Sequence, residues 1–245
     1  GHLPLHAEFT QRKATQDRRV DDVSFLSVHD KTVAATLRRP LPESSINATA
    51  LYIHEYGTDR SHAAELAEAL YASHTTLLAM DMEYHGDRAV PGRAMLSPFI
   101  YTSRHAFIQT VLDVRRALDF IATLPALAAR PVFVIARGHI AADIALMAAS
   151  ADARISNVVI LPDIAPGPTE QAFERIKQQD KSAAFARAME WADLFHFVSD
   201  PAADTVYTIG AYDVDPALAA RAQPGYFQHR NTLGDALREI MGKQE

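Results

Sequence analysis

The sequence predicts an α/β fold with a mostly parallel central sheet and helices on both faces. Two observations carry this. Five short apolar runs of strand length recur along the chain, and segments with apolar residues three and four apart lie between them. Near-continuous apolar strands are what a parallel sheet covered on both faces requires. Alternating strands and helices then imply right-handed crossovers in one layered domain.

Residues 1–19 are polar and aperiodic and read as a surface arm. Val23-Ser24-Phe25-Leu26-Ser27-Val28 alternates apolar with polar, as a half-buried strand does. His29-Asp30-Lys31 supplies a turn, and Thr32-Val33-Ala34-Ala35-Thr36-Leu37 returns as the second strand of a hairpin. Pro40 and Pro42 end it. The five apolar runs follow at 48–53, 75–80, 131–135, 155–161 and 205–209. Between them, 63–72 places Leu66, Ala67, Leu70 and Tyr71 on one helical face, and 104–124 does so with Phe107, Val111, Val114, Leu118 and Ile121. A short apolar helix is expected at 140–149. Pro162, Pro166, Gly167 and Pro168 break the fourth run. A charged helical insert, with its body at 169–195 and an outer limit of 200, carries Trp191, the only Trp. Inserted between two strands of an open sheet, it would lie over their carboxyl ends, either as a lid or as a solvated excursion. No repeat or linker interrupts 1–245, so one domain is expected.

Composition narrows the function. Of the 245 residues, 48% are hydrophobic and 22% charged, a globular balance. No apolar run reaches the roughly 18–20 residues of a membrane span. A net charge of −6 argues against a dedicated nucleic-acid binder, which needs a surplus of Lys and Arg. Cys is absent, which excludes disulfides, zinc–thiolate sites and a Cys nucleophile. The chain starts on Gly1, so it reads as trimmed, and a leader would no longer be visible. Compartment is left open.

Four motifs follow strands in order. They are His54-Glu55-Tyr56-Gly57, Asp81-Met82-Glu83-Tyr84-His85-Gly86, Ala136-Arg137-Gly138-His139-Ile140 and Gly210-Ala211-Tyr212-Asp213-Val214-Asp215. Together they resemble the α/β-hydrolase superfamily, closest to dienelactone-hydrolase-like and acetyl-xylan-esterase-like members, from about Val23 to the C-terminus. The resemblance implies an α/β-hydrolase fold and ester-bond chemistry. It also implies a nucleophile on the sharp turn between the third apolar run and its helix.

At that turn the chain departs from G-x-S-x-G, because the nucleophile position holds Gly138. Glycine has no group that can attack a carbonyl. Removing a triad nucleophile costs on the order of 10⁶ in turnover. The resemblance places the acid at Asp213, with Asp215 a competitor or either residue serving as a turn cap. The base falls to His229, which would otherwise be a surface His. Tyr56, Glu55 and His139 would line the oxyanion side. There Glu55 replaces a glycine, and a carboxylate would oppose a developing anion by a few kcal/mol at an effective dielectric of about 20. Ile140 stands where a small residue is usual. His139 could fill the vacated space, bond the acid, or sit half-exposed at the helix start. His85-Gly86 matches a structural turn.

Asp81, Glu83 and His85 alternate, and with His54 they could hold a divalent cation; the turn pattern accounts for them without one, so neither metal nor cofactor is expected. Arg38-Arg39 and Arg115-Arg116 read as solvated faces. Three functions follow. The chain is a nucleophile-less relative that binds a small ester-like ligand or a protein partner, an esterase or lactone hydrolase working by an atypical route, or a serine esterase inactivated at position 138.

Overall fold

A computed structural model describes residues 4–97, 100–163, 203–210, 222 and 225–242. The described strands form one nine-stranded sheet in the order β1-β2-β3-β5-β4-β6-β7-β8-β9. They are β1 (Glu8–Ala14), β2 (Arg18–Leu26), β3 (Thr32–Pro40), β4 (Ala48–Ile53), β5 (Thr75–Met80), β6 (Val132–Arg137), β7 (Ile155–Leu161), β8 (Thr205–Ile209) and β9 (Phe227–Arg230). The strands from β5 through β4 to β9 run parallel, and β1, β2 and β3 extend the sheet antiparallel from β5. The described helices are α1 (Ala67–Ala72), α2 (Ile100–Thr123), α3 (Gly138–Ala151) and α4 (Leu233–Gly242).

Period-2 alternation splits the core between the two faces. Leu51 and Ile53 of β4, Leu78 and Met80 of β5, and Val134 and Ala136 of β6 pack with α2 and α3. Tyr52, Leu77, Ala79, Phe133 and Ile135 pack on the other face with Leu70 of α1 and Leu237 and Ile240 of α4. The hairpin appears as expected, its turn at Val28–Asp30 holding His29 and Asp30 at positive φ.

Four local expectations are corrected. Residues 8–14, read as part of an arm, pair with β2 as an edge strand. Phe9 there is 45% exposed, so burial leaves little periodic signal. The segment Arg60–Leu66 is a 3-10 helix that leads into α1, so the α-helix is shorter than its apolar face. Arg39 is buried and bonds Asp21 at 2.7 Å. Arg116 is buried too and bonds the Leu26 carbonyl at 3.2 Å. These two guanidiniums pin strands rather than face water. The helical insert at 169–200 lies outside the described residues.

The carboxyl end of β5 is built around Asp81, which is fully buried. Its carboxylate accepts the backbone N–H of Arg60 at 2.9 Å and of Asp87 at 3.0 Å, and pairs with the Arg60 guanidinium. Gly86 sits against this carboxylate at φ +51, and a Cβ there would lie 2.3 Å from the Asp81 carboxyl carbon. Gly86→Ala is therefore expected to destabilise the protein by about 3 kcal/mol in urea unfolding, by forcing strain and breaking a buried charge network. Gly92→Ala, also at positive φ (+76) but with no atom of the described residues within 4 Å, is expected to cost only about 1 kcal/mol.

Candidate functional site

Strand order reverses between β4 and β6. The chain leaves β4 for β5 on one side and returns to β6 on the other. In open α/β sheets the crevice at such a switch point, at the carboxyl ends, is where ligands bind. Ile53 and Ala136 are register partners, so the two strands end level. His54, Glu55 and Tyr56 leave the first, and Arg137, Gly138 and His139 leave the second.

The loop after β4 is strapped to the loop after β5 by two histidines. His54 is fully buried; its Nδ1–H donates to the Glu55 carbonyl at 2.9 Å, and its Nε2 accepts the Met82 N–H at 3.0 Å. His85 repeats the pattern. Its Nδ1–H donates to the Glu83 carbonyl at 3.0 Å, and its Nε2 accepts the Gly57 N–H at 3.3 Å. A ring whose Nε2 accepts must be neutral. Burial lowers both pKa values, that of His54 to about 3. Tyr56 packs edge-on against His85, with ring centroids 5.4 Å apart. These histidines are structural struts. Asp81 is held by Arg60. Glu83 is held by Arg88 and by Lys31, whose Nζ lies 2.9 Å from it. The four side chains that could have gathered a cation are each committed to another contact. Among the described residues no group of three His, Cys, Asp or Glu is placed to hold a metal ion.

Gly138 opens α3 directly after β6, is buried, and has φ +78. That backbone is the left-handed region, where only glycine sits without strain. Arg137 sends its guanidinium to the α1 face of the sheet, where it meets Glu65. On the other side of the turn, Asp163 arrives two residues past the end of β7, beside β6. Its Oδ2 accepts a hydrogen bond from His139 Nδ1 at 2.9 Å. Its Oδ1 is buried and has no hydrogen-bond partner among the described residues. A Cβ on residue 138 would lie 2.0 Å from that Oδ1 and 3.4 Å from Glu55 Cγ. Two acidic side chains thus flank the start of α3, whose positive end favours them by about 0.3–1 kcal/mol each.

The structure therefore brings Glu55, Gly138 and His139 together, with Tyr56 on the same loop as Glu55. It does not bring His229 to them. His229 lies exposed on β9, where its Nδ1 is 3.4 Å from Thr208 Oγ1. Register runs from His229 through Thr208 and Ile160 to Ala136, which is three strand spacings, or about 14 Å. Asp213 and Asp215 lie outside the described residues. Ile140 is buried among the α2–α3 core residues. The residue missed from sequence is Asp163. Its signal was its place just after a strand-length apolar run, where ligand-facing residues collect, but Pro162 marked that stretch only as a break.

No protein-family model matches the sequence, and no curated protein sequence matches it. Solved structures do match the fold. One is an acetyl xylan esterase from Paenibacillus sp. R4, with a TM-score of 0.70 and 19% identity, covering 98% of this chain and 89% of that one. Another is acetyl xylan esterase 1 from Thermoanaerobacterium sp. JW/SL YS485, with a TM-score of 0.73 and 16% identity over 98% and 88%. An S-formylglutathione hydrolase from Agrobacterium tumefaciens matches with a TM-score of 0.63 and 12% identity over 99% and 97%.

Because His54 stays neutral down to pH about 3, the unfolded chain takes up a proton there near pH 6.5 that the folded chain refuses. This contribution to stability is whole above pH 6.5. It falls as pH drops toward 3, by up to about 1.4 kcal/mol per pH unit. Urea titrations between pH 7 and 4 are expected to show that slope, and His54→Gln, although less stable at pH 7, should flatten it by about one proton. With its mixed, mostly parallel sheet, helices on both faces and esterase structural neighbours, the chain has an α/β-hydrolase fold.

Proposed function

We propose that this protein is an α/β-hydrolase-fold relative of the carboxylic-ester hydrolases that has no serine nucleophile, and that it works by binding. The carrying observation is Gly138. It stands at a strand–turn–helix bend beside the switch point, at positive φ, where the resemblance puts a nucleophilic serine. Glu55 and Asp163 beside it would oppose a developing oxyanion by a few kcal/mol. The exposed position of His229 supports the same reading, since a triad base has to reach its nucleophile. The esterase neighbours suggest a small acyl ester, or a molecule of similar shape, as the ligand; a protein partner is the alternative occupant.

The hydrogen bond from His139 to Asp163 favours a second reading. A carboxylate on Nδ1 leaves Nε2 as the basic nitrogen, the orientation a general base needs. Water would then attack the acyl carbon. Its proton would pass to Nε2 and on to the departing alkoxide as the ester C–O bond breaks. A serine esterase inactivated at position 138 stands as the third reading, and the natural codon for that position decides it.

The test is a p-nitrophenyl ester series together with a fluorophosphonate probe. The binding reading expects no turnover above buffer and no labelling. Turnover without labelling would establish the water route and overturn the binding role. Labelling would overturn both by revealing an active serine elsewhere.

A further inference from the structure

We infer that Asp163 occupies the space of the side chain missing from residue 138, so that Gly138 and Asp163 form a complementary pair that closes the crest of the sheet. The functional meaning of this pair rests on the reading of Gly138 as the vacated nucleophile position; its geometry does not. The nearest non-neighbouring atom to a Cβ at 138 would be Asp163 Oδ1 at 2.0 Å, and the Asp163 carboxyl carbon would be 3.2 Å away. A serine Oγ reaches about 1.4 Å beyond Cβ, so any rotamer has to share this space with the carboxyl group or displace it. Displacement is resisted because the group is anchored. Oδ2 is bonded to His139, only 19% of the Asp163 side chain is exposed, and the carboxyl faces the positive end of α3.

A side chain at 138 and the Asp163 carboxyl group as it is placed here thus compete for one space. Losing the nucleophile and gaining a carboxyl group over the turn are one structural change with two halves. Restoring the serine alone would leave the turn occupied by Asp163, so reactivation at position 138 requires a second substitution at position 163. The contact is an occluding one: Asp163 closes the turn without acting on any substrate.

A double-mutant cycle read by thermal unfolding tests this, with Gly138→Ala introduced into three backgrounds. In the wild-type background the expected loss is about 8 °C, from overlap plus left-handed strain. With Asp163→Ala the overlap disappears and the same step should cost only about 3 °C. With Asp163→Asn, which keeps the volume and removes the charge, the loss should match wild type. Equal losses in the wild-type and Asp163→Ala backgrounds overturn the inference. So does relief by Asp163→Asn as complete as by Asp163→Ala, because charge rather than space would then be the cause. If Gly138→Ala fails to fold alone, recovery of folded protein by Asp163→Ala supports the pair, and continued failure overturns it. The cycle is independent of ester chemistry. Turnover by the wild-type protein would sink the binding role and leave this coupling standing, whereas absent coupling would leave the binding role untouched.

Discussion

His54 and His85 hold the loops after β4 and β5 against each other only while both rings are neutral, because each uses Nε2 to accept a backbone N–H from the opposite loop. The bonds are reciprocal, and each ring is fixed in its tautomer by donating Nδ1–H to a carbonyl in its own segment. Protonating either ring would cancel one acceptor and place a charge in a buried space. The geometry of the β4 loop follows from this strap. It sets the Glu55 backbone, which also accepts from Thr58, and so sets where the Glu55 side chain meets α3.

Below the strap, Asp81 performs the same service with charge. It gathers two backbone N–H groups and one guanidinium, and Gly86 is glycine because the carboxylate fills the place of a Cβ. Gly138 shows the same logic at the other side of the switch point, with Asp163 in the filling role. The two positions differ in what stands on the other side. Asp81 is satisfied by a cation and backbone donors, whereas among the described residues no donor reaches Asp163 Oδ1.

The crest of the sheet carries a glycine at positive φ with acidic side chains beside the start of α3. An acyl-transfer site presents a hydroxyl and donors for a developing anion. At the proposed nucleophile position the turn presents only hydrogen, with a carboxyl group beside it. The scaffold persists because the sheet, the two apolar layers and the crossovers do not depend on which side chain stands at the bend. Function on such a fold is carried by a few groups at strand ends, so it can change while the architecture remains.

By itself, the sequence determined the layered architecture. The apolar runs at 48–53, 75–80, 131–135, 155–161 and 205–209 each became a strand, because burial on both faces leaves a signal within a few consecutive residues. The bend at Ala136-Arg137-Gly138 was legible for the same local reason. The edge strands β1 and β9 were not, since Glu8–Ala14 and Phe227–Arg230 sit at the margins of the sheet, where few side chains are buried. Only the tertiary structure decided that His229 lies at a sheet edge and that Asp163 lies over Gly138. Both depend on strand order and register, which place residues 25 positions apart in contact and hold others about 14 Å apart at the same level of the sheet. No local pattern encodes a distance across neighbouring strands, because it is set only when the strands pair.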